Sequence, residues 1–275
     1  MTVRGWNMRC IVSMESTAQT VTQHKAQCTA QAVNPLFTNR GLVRLMVPLV
    51  IEQLLLMTVG MADTMMVTSA GEAVVSGVSL VDSVNILIIN IFSALSTGGA
   101  VVVAQYVGRR EPENARSAAK QLLYVALLAA LALMGAALIL RERILRGLFG
   151  SISQDVMDSA LVYFLLTAAA YPFIAIYNAG AALFRAMGNS KVSMVNSLIV
   201  NVINIAVNAV LIFGFQMGAA GAGIGTLVSR IVAAAIIGLM ITRPGLQVYV
   251  EDLFHPNLQW KMVKSTLGIG IPAGE

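Results

Sequence analysis

Charged side chains are scarce in this chain. Asp, Glu, Lys and Arg make up 11% of its 275 residues, against about 25% in a soluble domain. Hydrophobic residues make up 57%, and the mean hydropathy is +0.77. This composition excludes a soluble globular domain and predicts a polytopic membrane protein. The net charge of +5 does not indicate nucleic-acid binding, because the basic residues flank apolar stretches as loop charges do in membrane proteins.

Cysteine and histidine are rarer still. Cys10, Cys28, His24 and His255 are the complete set, and all four lie outside the apolar stretches. Their spacing matches no zinc or redox motif, and it predicts no disulfide framework. HExxH, P-loop and GxSxG motifs are also absent, so the familiar hydrolytic and nucleotide-driven reactions lack their residues. We therefore expect neither an enzyme nor a protein with a bound cofactor.

Six apolar stretches, each long enough to cross a hydrocarbon core of about 30 Å, follow one another along the chain. Their approximate bounds are 42–67, 74–102, 118–140, 159–184, 192–215 and 219–242. Residues 192–229 carry no charge and as one helix would be about 57 Å long, so this run must break. The glycines that mark the break are Gly214, Gly218, Gly221, Gly223 and Gly225. Residues 96–110 and 184–191 are expected to form two of the short connections.

The domain boundaries follow from this pattern. Residues 1–34 are predicted to form a polar, disordered tail, because they lack the apolar core of a signal peptide. Residues 35–245 form a six-helix membrane lobe and 246–264 a cytoplasmic linker. The apolar residues 265–275 resemble the start of the first span, so we expect a truncated seventh helix that opens a second, missing lobe.

The basic residues predict the orientation of the lobe. Fourteen Lys and Arg residues fall on one set of alternate connections and ends, and three fall on the other set. Cytoplasmic loops of membrane proteins carry the excess of positive charge. We therefore expect a multi-pass protein of the plasma or inner membrane with its N-terminus in the cytoplasm.

Three acids lie inside the first two spans. A carboxylate at bilayer depth costs about 2.5–3.5 kcal/mol on insertion scales. Glu52 and Asp63 are eleven residues apart, so they share a helix face about 16 Å apart along the axis. Asp82 and Asn85 share a face of the second span. Either these groups form hydrogen bonds to neighbouring helices, or they line a water-filled cavity that holds a cation, a proton or a substrate.

A polar stripe follows the fifth span. Its members recur at steps of four, four, three and four: Ser193, Ser197, Asn201, Asn204 and Asn208. Amides exposed to lipid are costly, so the stripe must face protein or water. Helix-to-helix hydrogen bonding and cavity lining both explain it, and we favour lining for Asn204 and Asn208. The sixth span carries Thr226 and a lone cation, Arg230, whose partner the sequence does not identify.

Taken together and in this order, several passages resemble the multidrug and toxic compound extrusion (MATE) transporters over about residues 34–275. The matching text is Met46-Val47-Pro48, Ala62-Asp63-Thr64-Met65-Met66, residues 98–110, Arg185-Ala186-Met187-Gly188-Asn189-Ser190, residues 201–214 and residues 218–229. The resemblance implies an all-α protein of twelve helices in two six-helix lobes, of which this chain is the N-terminal lobe. It also implies multidrug efflux of organic cations by alternating access, through antiport with H⁺ or Na⁺.

The resemblance also implies a coupling site. The family's first-helix acid falls on Asp63, its fifth-helix asparagine resembles Asn204, and its sixth-helix threonine resembles Thr226. A fourth-helix asparagine corresponds to Asn178. Some members carry an aspartate where this chain has Asn208, and an amide does not take up a proton near neutral pH. Protonation of Asp63 alone and Na⁺ coordination by Asp63 therefore both stay open.

We thus predict a coupling cation at Asp63, with Asn178, Asn204, Asn208 and Thr226 around it. Further cavity-lining residues are predicted to be Glu52, Asp82, Asn85 and Asn201. Two alternatives remain at this point: a flippase of the same superfamily for a lipid-linked saccharide or another polar lipid, and an inactive truncated fragment. Three acids against one arginine within the spans favour a cationic substrate over an anionic headgroup.

Overall fold

Six long helices make up a computed structural model that describes residues 39–150 and 152–243. Every regular element within these residues is helical. The helices are α1 (Asn39–Thr68), α2 (Glu72–Gly108), α3 (Pro112–Phe149), α4 (Gln154–Ala186), α5 (Ser190–Ala209) and α6 (Gly218–Ile241), with a π-helical segment (Val210–Gly214) after α5. All six are long and apolar enough to cross a membrane, which confirms the six predicted spans. The expectations for residues 1–34, 246–264 and 265–275 lie outside the described residues.

The predicted break in residues 192–229 is confirmed, but two details of the predicted connections are wrong: the role of residues 96–108, and that of Gly221, Gly223 and Gly225. Residues 96–108 belong to α2 and not to a connection. Gly99 lies within this helix. A Cβ at this position would overlap the Leu122 side chain of α3, so glycine is present here because its missing side chain permits close helix packing. The break between α5 and α6 lies at residues 215–217, flanked by Gly214 and Gly218.

The remaining glycines of that predicted break lie inside α6 for the same reason. A Cβ on Gly223 would lie 2.7 Å from Leu166 Cδ1 of α4, and one on Gly221 would lie 3.2 Å from Ile212 Cγ1. Small residues at these positions let α6 approach α4 and the end of α5 closely. Gly99, Gly221 and Gly223 are therefore packing residues rather than helix terminators.

Short connections make successive helices antiparallel, so they define two ends of the bundle. We call the end that holds the α1–α2, α3–α4 and α5–α6 connections the first-turn end; connections 109–111 and 187–189 lie at the opposite end. Gly71 (φ 112°) and Gly188 (φ 76°) adopt backbone conformations that favour glycine.

Helix α4 is the centre of the bundle. It packs against α2, α3, α5 and α6. Tyr171, Phe164 and Phe184 of this helix are among the largest fully buried side chains. The helix also contains many alanines that are buried, so its neighbours approach it closely.

Helix α1 presents only a narrow face to the bundle from residue 45 onward. Leu54, Met57, Met61 and Met65 are between 59% and 74% exposed. The opposite face carries Glu52 and Asp63, the two carboxylates predicted to share it. Met66 and Val67, near the end of the helix, are buried. Polar contacts are therefore important in holding α1 against its neighbours.

Candidate functional site

A cavity of about 190 Å³ lies between α1, α2, α4, α5 and α6, in the half of the bundle nearer the first-turn end. It brings together most of the polar residues that the sequence pattern identified. The predicted residues that line it are Asp63, Asp82, Asn85, Asn201, Asn204, Asn208 and Thr226, and Arg230 lines it with them. Side chains more than 160 positions apart in the sequence thus share one small volume.

Asp63 is held by a neutral amide. Asn208 Nδ2 donates a hydrogen bond to Asp63 Oδ1 at 2.9 Å and a second one to Asn204 Oδ1 at 3.3 Å. Asn204 Nδ2 donates in turn to Ser229 Oγ at 3.5 Å, and Ser229 Oγ donates to the Thr226 carbonyl at 2.8 Å. This chain of hydrogen bonds joins α1, α5 and α6. It offsets part of the cost of burying the Asp63 carboxylate without neutralising its charge.

Asp82 is held by a second chain of neutral donors. The Tyr163 hydroxyl donates to Asp82 Oδ1 at 3.0 Å, and Asn85 Nδ2 lies 3.5 Å from the same oxygen. The Tyr171 hydroxyl donates to Asn85 Oδ1 at 3.0 Å, while its ring packs edge-on against Phe92, with 6.1 Å between centroids. These contacts join α2 to α4.

The stripe on α5 faces inward along its whole length. All five members are at most 7% exposed, which confirms that the stripe faces protein or an internal cavity. Asn208 fits only because Gly225 of α6 has no side chain: a Cβ there would overlap the Asn208 amide oxygen. The local sequence of α6 thus positions the amide that holds Asp63.

Arg230 is the one cation among the side chains that line the cavity. Among the side chains that the structure describes, the ion pairs are Arg116–Glu113 and Arg185–Glu52. Arg230 therefore forms no ion pair with another of these side chains, although it lines the same cavity as Asp63 and Asp82.

Glu52 does not line this cavity, so that expectation is wrong. It is 4% exposed and belongs to a separate cluster toward the opposite end. Ser193 donates a hydrogen bond to Glu52 Oε2, the Tyr177 hydroxyl lies 3.4 Å from Oε1, and Arg185 Nη1 lies 3.8 Å from Oε1. The eleven residues between Glu52 and Asp63 span about 16 Å, which is why one cavity does not include both. Helix α1 is thus attached through a carboxylate at each of two depths.

Asn178 does not line the cavity either, although it was expected beside Asp63. It follows Tyr171 by seven residues, about 10 Å further along α4 toward the opposite end. Its Nδ2 is buried and has no hydrogen-bond partner within the described ranges. The geometry therefore gives no support for grouping it with Asp63.

Three residues of α4 that line the cavity were not predicted from the sequence. Tyr163, Thr167 and Tyr171 all face it, and they recur every four positions. This is the same period that identified the stripe on α5, so the signal was present. It was less evident because tyrosine and threonine are common in apolar spans.

Oxygen atoms dominate the ligands that the cavity offers to a cation. No group of three or more His, Cys, Asp or Glu residues that could hold a metal occurs in the part of the chain that the structure describes. Asp63 instead shares the cavity with the side-chain amides of Asn204 and Asn208 and with the hydroxyl group of Thr226. Carboxylate, amide and hydroxyl oxygens suit hard cations, and the carboxylate alone suits a proton.

Comparison with known proteins gives the family. The family model described as MatE matches residues 48–210. The chain is 30% identical to the uncharacterized transporter YisQ of Bacillus subtilis, over 83% of this chain and 50% of the relative. It is 27% identical to the probable multidrug resistance protein NorM of Thermotoga maritima, over 85% and 50%. The chain spans about half the length of these curated relatives.

Solved structures share the fold. One described as the outward-facing conformation of a multidrug resistance MATE family transporter of the MOP superfamily matches with a TM-score of 0.78 at 24% identity, covering 85% of this chain and 51% of that one. A MATE structure in the straight conformation also matches at 0.78 and 24%, over 85% and 52%. The likeness confirms a membrane lobe of the MATE type, built from the six helices described above. On the strength of the family match, which covers more than half of its length, this chain belongs to the MATE family of transporters.

Proposed function

We propose that this chain is the N-terminal lobe of an exporter that moves organic cations across the cell membrane in exchange for H⁺ or Na⁺. The observation that carries the proposal is the environment of Asp63. Its carboxylate lines a cavity within the membrane lobe, where Asn208 Nδ2 donates a hydrogen bond to it at 2.9 Å. A carboxylate that lines a cavity at membrane depth is a binding group for an exchangeable cation.

The coupling cation binds at Asp63. For Na⁺, oxygen ligands come from the Asp63 carboxylate, from the amide oxygens of Asn204 and Asn208, and from the Thr226 hydroxyl. For H⁺, Asp63 itself takes the proton, because amides do not titrate near neutral pH. Asn208 adjusts to either form, since an amide both donates and accepts hydrogen bonds.

Binding at Asp63 drives export through alternating access. A ligand shifts a conformational equilibrium only by its differential affinity for the two states. The hydrogen bond from Asn208 links α1 to α5, so occupancy of Asp63 changes the attachment of α1. The substrate leaves when the coupling cation stabilises the outward-open state, and release of that cation on the inner side resets the cycle.

The orientation follows from the basic residues. The excess of Lys and Arg on the connections at the opposite end supports a cytoplasmic location for that end. The cavity then lies in the outer half of the membrane, where an inward flow of cations begins. A second lobe completes the transporter, and the similarity to a probable multidrug resistance protein supports a broad range of substrates.

The test is ethidium export by cells that express the intact protein from its complete gene. Asp63→Asn keeps the size of the side chain but removes its charge, so we expect export to fall at least tenfold. Asp155→Asn is the matched control, because Asp155 is an exposed carboxylate in the first turn of α4, and we expect it to export like wild type. Wild-type export by Asp63→Asn would refute the proposal. Imposed Na⁺ or pH gradients in proteoliposomes then identify the coupling ion.

A further inference from the structure

An open groove lies between α2 and α4 toward the opposite end of the bundle, away from the cavity that holds Asp63. Its volume is about 190 Å³, and its lining is apolar apart from Thr97 and Arg185. Alanines at steps of four on each helix leave the space: Ala100 and Ala104 on α2, and Ala182 and Ala186 on α4. The groove is therefore an apolar recess that carries a cationic group.

The groove lies at the depth where lipid chains meet their headgroups. Helix α2 has 37 residues and is about 55 Å long, which exceeds a hydrocarbon core of about 30 Å by about 25 Å. With equal extension at both ends, about 12 Å of the helix lies at headgroup level on each side. Ala100 precedes Gly108, the last residue of α2, by about 12 Å along the axis. The groove thus crosses the boundary, and Arg185, in the last turn of α4, lies at its headgroup side.

Arg185 is positioned to meet an anion from outside the bundle. Its Nη1 lies 3.8 Å from Glu52 Oε1, a distance that is longer than a hydrogen bond. The Glu52 carboxylate accepts its hydrogen bond from Ser193 instead. The Arg185 side chain is 33% exposed, and a guanidinium carries five donors. Glu52 therefore orients Arg185 electrostatically, while donors of the guanidinium stay available to a second anion.

The two connections at this end surround the groove with positive charge. The basic residues at or beside them are Arg109, Arg110, Arg116, Lys120, Arg185 and Lys191, and the acids are Glu111 and Glu113. Arg109 and Arg110 come soon after Ala104, and both are exposed. Near the first-turn end, by contrast, Glu72, Glu142, Asp155 and Asp158 balance Arg141, Arg143 and Arg146. The surplus of positive charge is therefore at the end where the groove lies.

We propose that this groove binds an anionic phospholipid, with an acyl chain against the alanines and the phosphate at Arg185. A guanidinium pairs with phosphate through two parallel hydrogen bonds, and basic pockets between membrane helices suit anionic headgroups. Arg109 and Arg110 favour a lipid of net negative charge, such as phosphatidylglycerol, over a zwitterionic lipid. The lipid is a bound component of the lobe and not its exported substrate. The proposed orientation of the exporter serves only to place this lipid in the cytoplasmic leaflet.

Native mass spectrometry of the intact protein, purified in detergent from its complete gene, tests the proposal. Palmitoyl-oleoyl phosphatidylglycerol, or phosphatidylcholine with the same chains, is added in steps, and the bound lipids are counted. Because both lipids have the same chains and a phosphate, a difference in binding reports the net charge of the headgroup. We expect the first phosphatidylglycerol to bind at least about tenfold more tightly than phosphatidylcholine. Inorganic phosphate at millimolar concentration should not displace it, because phosphate lacks the acyl chain.

Two substitutions locate the lipid. Arg185→Gln removes the charge, and we expect the preference for phosphatidylglycerol to fall to about threefold or less. Arg143→Gln, at an exposed position of α3, should keep the wild-type preference. Ala104→Phe fills the groove and leaves every charge in place, including the contact of Arg185 with α1, and we expect phosphatidylglycerol to bind at least about tenfold more weakly. Ala136→Phe, at another exposed position of α3, is the matched control and should bind the lipid like wild type.

Several results overturn the inference. Equal binding of the two lipids, displacement by inorganic phosphate, a wild-type preference in Arg185→Gln, or wild-type affinity in Ala104→Phe each does so. Failure of both lipids to bind also overturns it, and would indicate that another part of the transporter covers the groove. None of these results refutes cation export, because that is judged by the ethidium assay of Asp63→Asn.

Discussion

Replacing Gly225 with alanine should dislodge Asn208 from Asp63. An added Cβ would overlap the Asn208 amide oxygen, and it would lie 2.8 Å from the amide carbon and 3.3 Å from the backbone nitrogen of the same residue. Carbon atoms in contact lie about 3.5–4.0 Å apart, so the amide must retreat by about 1 Å. A retreat of that size breaks the 2.9 Å hydrogen bond to Asp63.

The loss of unfolding free energy caused by Gly225→Ala has two parts. Overpacking typically costs about 1–3 kcal/mol, and a lost hydrogen bond to a charged group costs about 1.5–3 kcal/mol. Because a retreat of the amide relieves some of the overpacking, the parts do not add in full. We expect the free energy of unfolding to fall by about 2–4 kcal/mol. Titration of the purified protein with a denaturing detergent in mixed micelles measures it.

Gly135→Ala is the control for this measurement. Gly135 lies inside α3 with nothing within 4 Å of an added Cβ, and alanine favours a helix over glycine by about 0.5–1 kcal/mol. This variant should therefore be as stable as wild type or slightly more stable. Equal behaviour of Gly225→Ala and Gly135→Ala would refute the placement of Asn208 against Gly225.

A double-mutant cycle sharpens the same prediction. Asn208→Ala removes the amide that the new methyl group meets, so the double variant with Gly225→Ala should be about as stable as Asn208→Ala alone. Stability would then be strongly non-additive. Export that depends on Asp63 should not recover, because the amide that holds the carboxylate is gone. Strict additivity of the two changes would contradict the contact.

Two further changes test the polar clusters by the same unfolding assay. Tyr171→Phe keeps the ring against its aromatic neighbour but removes the hydrogen bond to Asn85, so it should cost about 0.5–1.5 kcal/mol; no change would mean that the hydroxyl is satisfied elsewhere. Glu52→Gln removes a buried charge that a serine and an arginine contact, and should cost about 1–3 kcal/mol. Its control is Glu113→Gln at an exposed pair, which should cost nothing measurable, and equal stability of the two variants would contradict the buried cluster.

Helical periodicity predicted much of the site. The spacing of Glu52 and Asp63 placed both on the inner face of α1, and the stripe on α5 is buried from Ser193 to Asn208. These predictions succeed because a membrane span has only one kind of favourable environment for a polar side chain, so polarity alone identifies the inner face. The six spans follow from the same physics.

The depth of each polar residue in the bundle and its contacts with other helices could not be predicted in the same way. Tyr163 meets Asp82 across 81 residues of sequence, a contact that depends on how α4 packs against α2. Asn178 shares α4 with the cavity residues but lies too far along the helix. Periodicity gives the face of each helix; the relative heights of two helices depend on close-packed contacts such as that of Gly225 with Asn208, which only the assembled structure shows.

The π-helical segment Val210–Gly214 has a consequence for how this lobe tolerates changes in length. Its wider turn closes hydrogen bonds five residues apart, as between Phe215 N and the Val210 carbonyl at 3.2 Å, and so holds one residue more than an α-helical turn. In a regular α-helix, one additional residue would rotate everything beyond it by about 100°. Here the surplus residue is taken up after Asn208, so the chain can reach the start of α6 without rotating the asparagines away from the cavity.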